Sequence, residues 1–207
     1  MSEQITQDTV KPLAILCFDI ETSGSNIINN AILSIGYCLG DQNGNILKKD
    51  RFSFEMDSEH CFEERCYKDF WSKNMDILKT LQDEAKPIKE QLLNFITLVD
   101  KFDDEYDLRI ISDFKDFDLA FVNYYLVKYL NRRPLNYKFG STEYRCTYDT
   151  DSYSRGAMKM NYQDPWTSDK TIMEQLNFTT GCNPTHLPDD DAEYIYKFHI
   201  NLINKIN

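Results

Sequence analysis

Hydrophobic and polar positions divide this chain into segments of two periods. In Ala14–Glu21 the residues Ala14, Leu16, Phe18 and Ile20 fall on one face of an extended strand, with Ile15, Cys17, Asp19 and Glu21 on the other. The segment stays apolar on both faces until its end, the pattern of a central strand covered by helices on each side. Ala31–Leu39 and Ile46–Glu55 flank a turn carrying Asn43-Gly44 and read as a hairpin. Three antiparallel strands therefore open the protein.

From Cys61 to Phe102 the period becomes helical, with one helix predicted over Tyr67–Leu81 and a second starting at Pro87. The acidic run Asp103–Asp107 reads as a solvated loop, and Leu108–Ser112 as a short strand. A helix follows from about Asp116 to Leu130, stopped by Pro134, and Tyr144–Tyr148 forms a fifth strand. The polar stretch Asp151–Asn183 carries no clear period. Pro188 then opens a last helix that runs to about Ile203. Neither repeats nor a linker divide the chain. Residues 1–12 read as a short flexible solvated arm and 13–207 as one domain.

Composition narrows the setting. There is no run of about 18 apolar residues to cross a membrane, and the first residues lack the basic and apolar regions of a secretory signal. Six cysteines without CxxC spacing fit reduced thiols in an intracellular, cytoplasmic compartment. The richness in Asn, Ile, Lys, Tyr and Asp is consistent with an AT-rich source such as a virus or phage. The net charge of −11, with no basic block, argues against a tight grip on long duplex nucleic acid.

Five residues carry candidate chemistry. Asp19 and Glu21, two apart on a strand, point to the same face and can share an ion. Asp118 lies on a helix that is apolar nearly all round, with Phe121 and Val122 three and four residues on; a carboxylate there needs a partner. Asp116, in the same first turn, is the competing acid. Asp191 falls in the first turn of the last helix, beside Asp189 and Asp190, and His186 in the loop before it. A histidine so placed has an ordinary pKa of about 6.5, suited to taking a proton from water. His60 and His199 lack such neighbours and read as structural or exposed.

These segments, Asp19-Ile20-Glu21-Thr22, then Phe117-Asp118-Leu119-Ala120-Phe121, then His186 five before Asp191 with Ala192 after it, resemble the three motifs of the DEDDh 3′–5′ exonucleases. That superfamily includes polymerase proofreading subunits, ribonuclease T and oligoribonuclease. The resemblance runs from about Ile15 to Phe198. Leu187 stands where the tyrosine branch carries Tyr, which favours the histidine branch. Phe70-Trp71 and the helix after them look like the tryptophan-bearing helix of the phage-type and mycobacterial-type exoribonucleases, and Asp149-Thr150 resembles a pair that follows the fifth strand. Ser112–Asp116 departs from the usual His-Asn before Phe-Asp.

The resemblance implies an α/β, RNase H-like fold, a five-stranded mixed sheet flanked by helices on both sides. It implies two Mg2+ or Mn2+ ions on Asp19, Glu21, Asp118 and Asp191, with His186 as general base. Backbone groups around Thr22 and Ser23 would meet the terminal nucleotide, and Trp71 or Phe70 would stack on a base. The expected activity is release of 5′-mononucleotides from the 3′ end of single-stranded RNA or short oligonucleotides. Alternatives are a DNA-directed proofreading or trimming exonuclease, or a non-catalytic protein-binding module of the same fold. Relatives are often homodimers.

Overall fold

The computed structural model describes residues 11–138, 144–161 and 163–206, so most of the predicted arm over 1–12 lies outside the described residues. Its sheet has five strands, β1 (Leu13–Thr22), β2 (Ile32–Asp41), β3 (Ile46–Ser53), β4 (Asp107–Ser112) and β5 (Cys146–Asp149), in the order β3-β2-β1-β4-β5. β1 is central, as its two apolar faces require. It pairs antiparallel with β2 and parallel with β4; β2–β3 is antiparallel and β4–β5 parallel. β3 is the edge of the hairpin, and its Lys48, Lys49, Asp50 and Arg51 suit an edge that must not recruit another strand.

The helices are α1 (Glu64–Asp69), α2 (Met75–Asp83), α3 (Ile88–Glu105), α4 (Lys115–Leu130), α5 (Thr150–Ala157), α6 (Asp169–Leu176) and α7 (Pro188–Ile206). On one face of the sheet, Leu16 and Phe18 pack with Phe95 and Ile96 of α3 and with Phe121 and Tyr125 of α4. On the other face, Ile15, Cys17 and Cys38 pack with Ala192, Ile195 and Tyr196 of α7. α6 sits outside α7, Ile172 packing on Phe198 and Leu202. Among the described residues no helix is long and apolar enough to cross a membrane.

α7 approaches the sheet closely because β2 carries glycine where they cross. A β-carbon on Gly36 would overlap the backbone of Pro188 and Asp189, and one on Gly40 would overlap the Tyr196 ring. The Tyr196 hydroxyl then reaches the hairpin, donating to the Asp41 carbonyl at 2.7 Å. Gly36 is also the residue paired with Asp19 across β1 and β2. The helix start therefore sits over the acidic end of β1.

The structure departs from the sequence pattern in four places. The helix expected over Tyr67–Leu81 is broken into α1, a 3₁₀ turn over Trp71–Lys73, and α2. Burial of Trp71 turns the chain inward between them. The acidic run after Phe102 is not a loop: α3 continues to Glu105. Two of its acids have cations at hand, Asp103 lying 3.5 Å from Arg145 and Glu105 3.8 Å from Lys101. The polar stretch after β5 holds α5 and α6, each started by a capping side chain. Asp149 accepts from the Ser152 amide at 2.7 Å and Ser168 from the Thr171 amide at 3.3 Å. β5 begins at Cys146, two residues later than expected.

Candidate metal centre and active site

Three elements bring the acids together. Asp19 and Glu21 end β1, Asp118 occupies the first turn of α4, and Asp191 the first turn of α7. Burial separates the two candidates on α4: Asp118 is 4% exposed, whereas Asp116 faces solvent. The choice left open by the sequence is made by helix rotation.

The three consecutive acids of α7 are sorted by ion pairs from β3. Arg51 binds Asp189 at 2.7 Å and also holds Glu84. Lys49 binds Asp190 at 2.7 Å and Glu193 at 2.8 Å. Among the described residues no Lys or Arg pairs with Asp191. Its carboxylate accepts from the backbone amides of Thr185 at 2.7 Å and His186 at 3.3 Å, tying the histidine loop to the first turn of α7.

His186 is exposed and adopts a left-handed backbone, φ 64°. One ligand atom each from Glu21, His186 and Asp191 lies within 4.8 Å of the others. The Phe70 ring stands nearly perpendicular to the His186 ring, centroids 4.9 Å apart, and packs on Trp71 at 4.8 Å. Phe70, not Trp71, is thus the aromatic at the site.

The electrostatics match a cation-binding centre. Burial first, then Asp118, Glu21 and Asp191, push the Asp19 carboxyl well above the usual carboxylate range. Burial and then Asp191 and Asp118 do the same to Glu21. Asp118 is pushed up to about 8, chiefly by burial, and Asp191 is also raised by burial. Buried carboxylates that repel one another are stabilised by a shared divalent cation, and an oxygen donor set suits hard ions such as Mg2+ or Mn2+.

The structure places the three residues expected to meet substrate, Trp71, Ser23 and Thr22, in buried positions. Trp71 is fully buried and offers no face to a base; its Nε1 donates to the Thr22 carbonyl at 2.9 Å. The Ser23 amide donates to the Ala31 carbonyl at 2.9 Å and its carbonyl accepts from the Glu63 amide at 2.8 Å. Its hydroxyl donates to the Cys61 carbonyl, also at 2.8 Å. Thr22 is buried, with its hydroxyl donating to the Gly24 carbonyl at 2.9 Å. All three residues brace the loop after β1 instead of facing outward.

A second group of acids gathers around Asp113, of which the sequence reading singled out only Asp149. Asp113 is pushed up to about 6 by loss of solvation and then by Asp169, Asp149 and Asp151. Asp113 sits between β4 and α4, Asp149 ends β5, Asp151 lies in α5 and Asp169 opens α6. Asp149 also accepts from the Lys115 amide at 3.0 Å, and the Thr150 hydroxyl donates to the Ser112 carbonyl at 3.2 Å. The Asp-Thr pair after β5 therefore anchors the start of α4, and with it Asp118.

At the level of sequence, no protein-family model and no curated protein matches this chain. Solved structures do. Exonuclease I with bound product superposes with a TM-score of 0.64 at 10% identity, over 90% of this chain and 42% of that one. The zinc-bound complex of E. coli exonuclease I with single-stranded DNA gives 0.62 at 8% identity, over 93% and 39%. The Mg2+- and Mn2+-bound form of S. pombe Pop2p gives 0.63 at 15% identity, over 92% and 82%. The chain spans about two fifths of the exonuclease I chains it matches. At these identities the likeness establishes the fold, the RNase H-like arrangement of these exonucleases.

Proposed function

We propose that this protein is a metal-dependent 3′–5′ exonuclease that releases 5′-mononucleotides from single-stranded ends. The observation that supports this is the mutual repulsion of Asp19, Glu21, Asp118 and Asp191, with ligand atoms of Glu21, Asp191 and the exposed His186 within 4.8 Å of one another. Asp19, Glu21, Asp118 and Asp191 would hold two divalent cations, Mg2+ or Mn2+. When bound, such cations supply an acidified water and neutralise charge on the phosphate and the leaving oxygen.

A ring nitrogen of His186 accepts the proton of the attacking water as its oxygen bonds to phosphorus and the bond from phosphorus to the 3′ oxygen breaks. The leaving group departs as the shortened strand, and phosphate stays on the released nucleotide. Phe70 limits rotation of the imidazole, and Asp191, through the His186 amide, holds the loop that carries it. Thr22, Ser23 and Trp71 position β1's last carboxylates from behind.

The net charge of −11, with no basic block in the sequence, favours single strands and short oligonucleotides, RNA first on the sequence resemblance of the Phe70-Trp71 segment. Single-stranded DNA is the second reading, favoured by the structural likeness to a DNA-bound exonuclease. Incubation of 5′-labelled RNA, DNA and very short oligonucleotides with Mg2+ or Mn2+ tests this. Stepwise laddering from the 3′ end is expected; intact substrate under every metal would sink the reading.

A further inference from the structure

Next to the carboxylates lies a cavity of about 560 Å³ that neither the metal ligands nor His186 fill. Asp19 and Asp191 are among its lining residues, so whatever enters it lies against two of the candidate metal ligands. Phe114, at the start of α4, and Trp166, ahead of α6, line it. Trp166 is 71% exposed and Phe114 61%. Trp71, by contrast, is buried completely. Two exposed aromatic rings lining one cavity form a surface on which a flat, unpaired base can stack.

The polar lining is selective. Its acids are Asp113, Asp151 and Asp169, and Lys170 is its cation. Asp169 is engaged by the Tyr194 hydroxyl. The carboxylates of Asp113 and Asp151 accept no hydrogen bond from any described residue. Carboxylates repel phosphate and accept N–H groups. Guanine presents N1–H and N2–H together, a donor pair that one carboxylate can receive with both oxygens. Adenine and cytosine offer an amino group, whereas uracil and thymine offer one N–H between two carbonyl oxygens.

We propose that this cavity seats the unpaired base of a nucleotide flanking the cleaved bond, with Trp166 and Phe114 stacking on it and Asp113 and Asp151 reading its N–H edge, so that guanine is preferred and uracil or thymine disfavoured. The proposal rests on the exonuclease reading for its biological meaning, but not for its test. Binding of a mononucleotide needs no turnover.

The experiment is calorimetric titration of the full chain, in Mg2+, with guanosine and uridine 5′-monophosphates. Guanosine monophosphate is expected to bind about tenfold more tightly, the discrimination a bidentate pair provides. Trp166→Ala should weaken both nucleotides, and Asp113→Asn with Asp151→Asn should remove the difference while uridine monophosphate binding persists. Thermal unfolding of each variant confirms that it is folded. Equal affinities in the wild-type chain, or unchanged guanosine monophosphate binding in Trp166→Ala, would overturn the proposal. Preferential binding without laddering of any oligonucleotide would remove the exonuclease reading and leave the base site standing. Laddering with no base preference would do the reverse.

Discussion

The indole Nε1 of Trp71 donates to the carbonyl oxygen of Thr22 at 2.9 Å, from a position with no solvent exposure. Trp71 thus acts on the site through the backbone that carries Glu21, and Phe70 beside it reaches His186. Trp71→Phe would keep part of the packing but leave the Thr22 carbonyl without its partner. A loss of about 1–3 kcal/mol is expected, the penalty for a buried polar group left unsatisfied. Urea unfolding measures it; a variant as stable as the parent would contradict the role.

Gly36 is the contact point of β2 with the start of α7. In Gly36→Ala the added carbon must push Pro188 and Asp189 away, costing about 1–3 kcal/mol. The same displacement carries Asp191 away from Glu21. Calorimetry with Mn2+ is expected to show weakened binding along with a lower melting temperature. Retention of full metal affinity would mean that α7 is not positioned by this glycine.

The adjacent acids of α7 should behave differently. Asp191→Ala is expected to abolish nuclease activity in a folded protein, as is Asp19→Ala. Asp189→Asn removes the partly buried pair with Arg51 and a longer one with Lys49, a loss of about 1 kcal/mol. Parallel activity and unfolding measurements separate the two patterns. Equal loss of activity in both α7 variants would refute the division of labour.

His186→Ala should lower turnover by about a hundredfold or more, the usual contribution of a general base, with Mn2+ affinity changed far less. Its ring also lies within ligand distance of Glu21 and Asp191. If metal affinity falls as steeply as turnover, the histidine is a ligand and not a base.

Stability of the metal-free protein should depend on pH through Asp118. Its folded pKa of about 8 stands above the ordinary 3.8, so the folded state binds more protons between these values. The contribution is fully present below 3.8 and is lost as pH rises towards about 8. Melting curves in chelator are expected to shift to lower temperature over that interval. Asp118→Asn, or excess Mg2+, should flatten the trend; persistence of the same slope in Asp118→Asn would place its origin elsewhere.

Much of the scaffold was legible in local pattern. The two apolar faces of Ala14–Ile20 demanded a covered central strand, and Asn43-Gly44 demanded the hairpin, because strand period and turn geometry are local properties. The spacing of Asp19 and Glu21 and the apolar surroundings of Asp118 were likewise visible from neighbours in the chain. Tertiary structure decided the rest. Only helix rotation turns Asp118 inward and Asp116 out, and only Arg51 and Lys49, on a strand over a hundred residues earlier, claim Asp189 and Asp190 and leave Asp191 to the site. Trp71 read as a stacking residue because sequence carries no record of which way a ring faces; packing against Ala31 and Leu33 put it inside. The cavity between Phe114 and Trp166 is assembled from segments distant in the chain, so no period or motif could announce it.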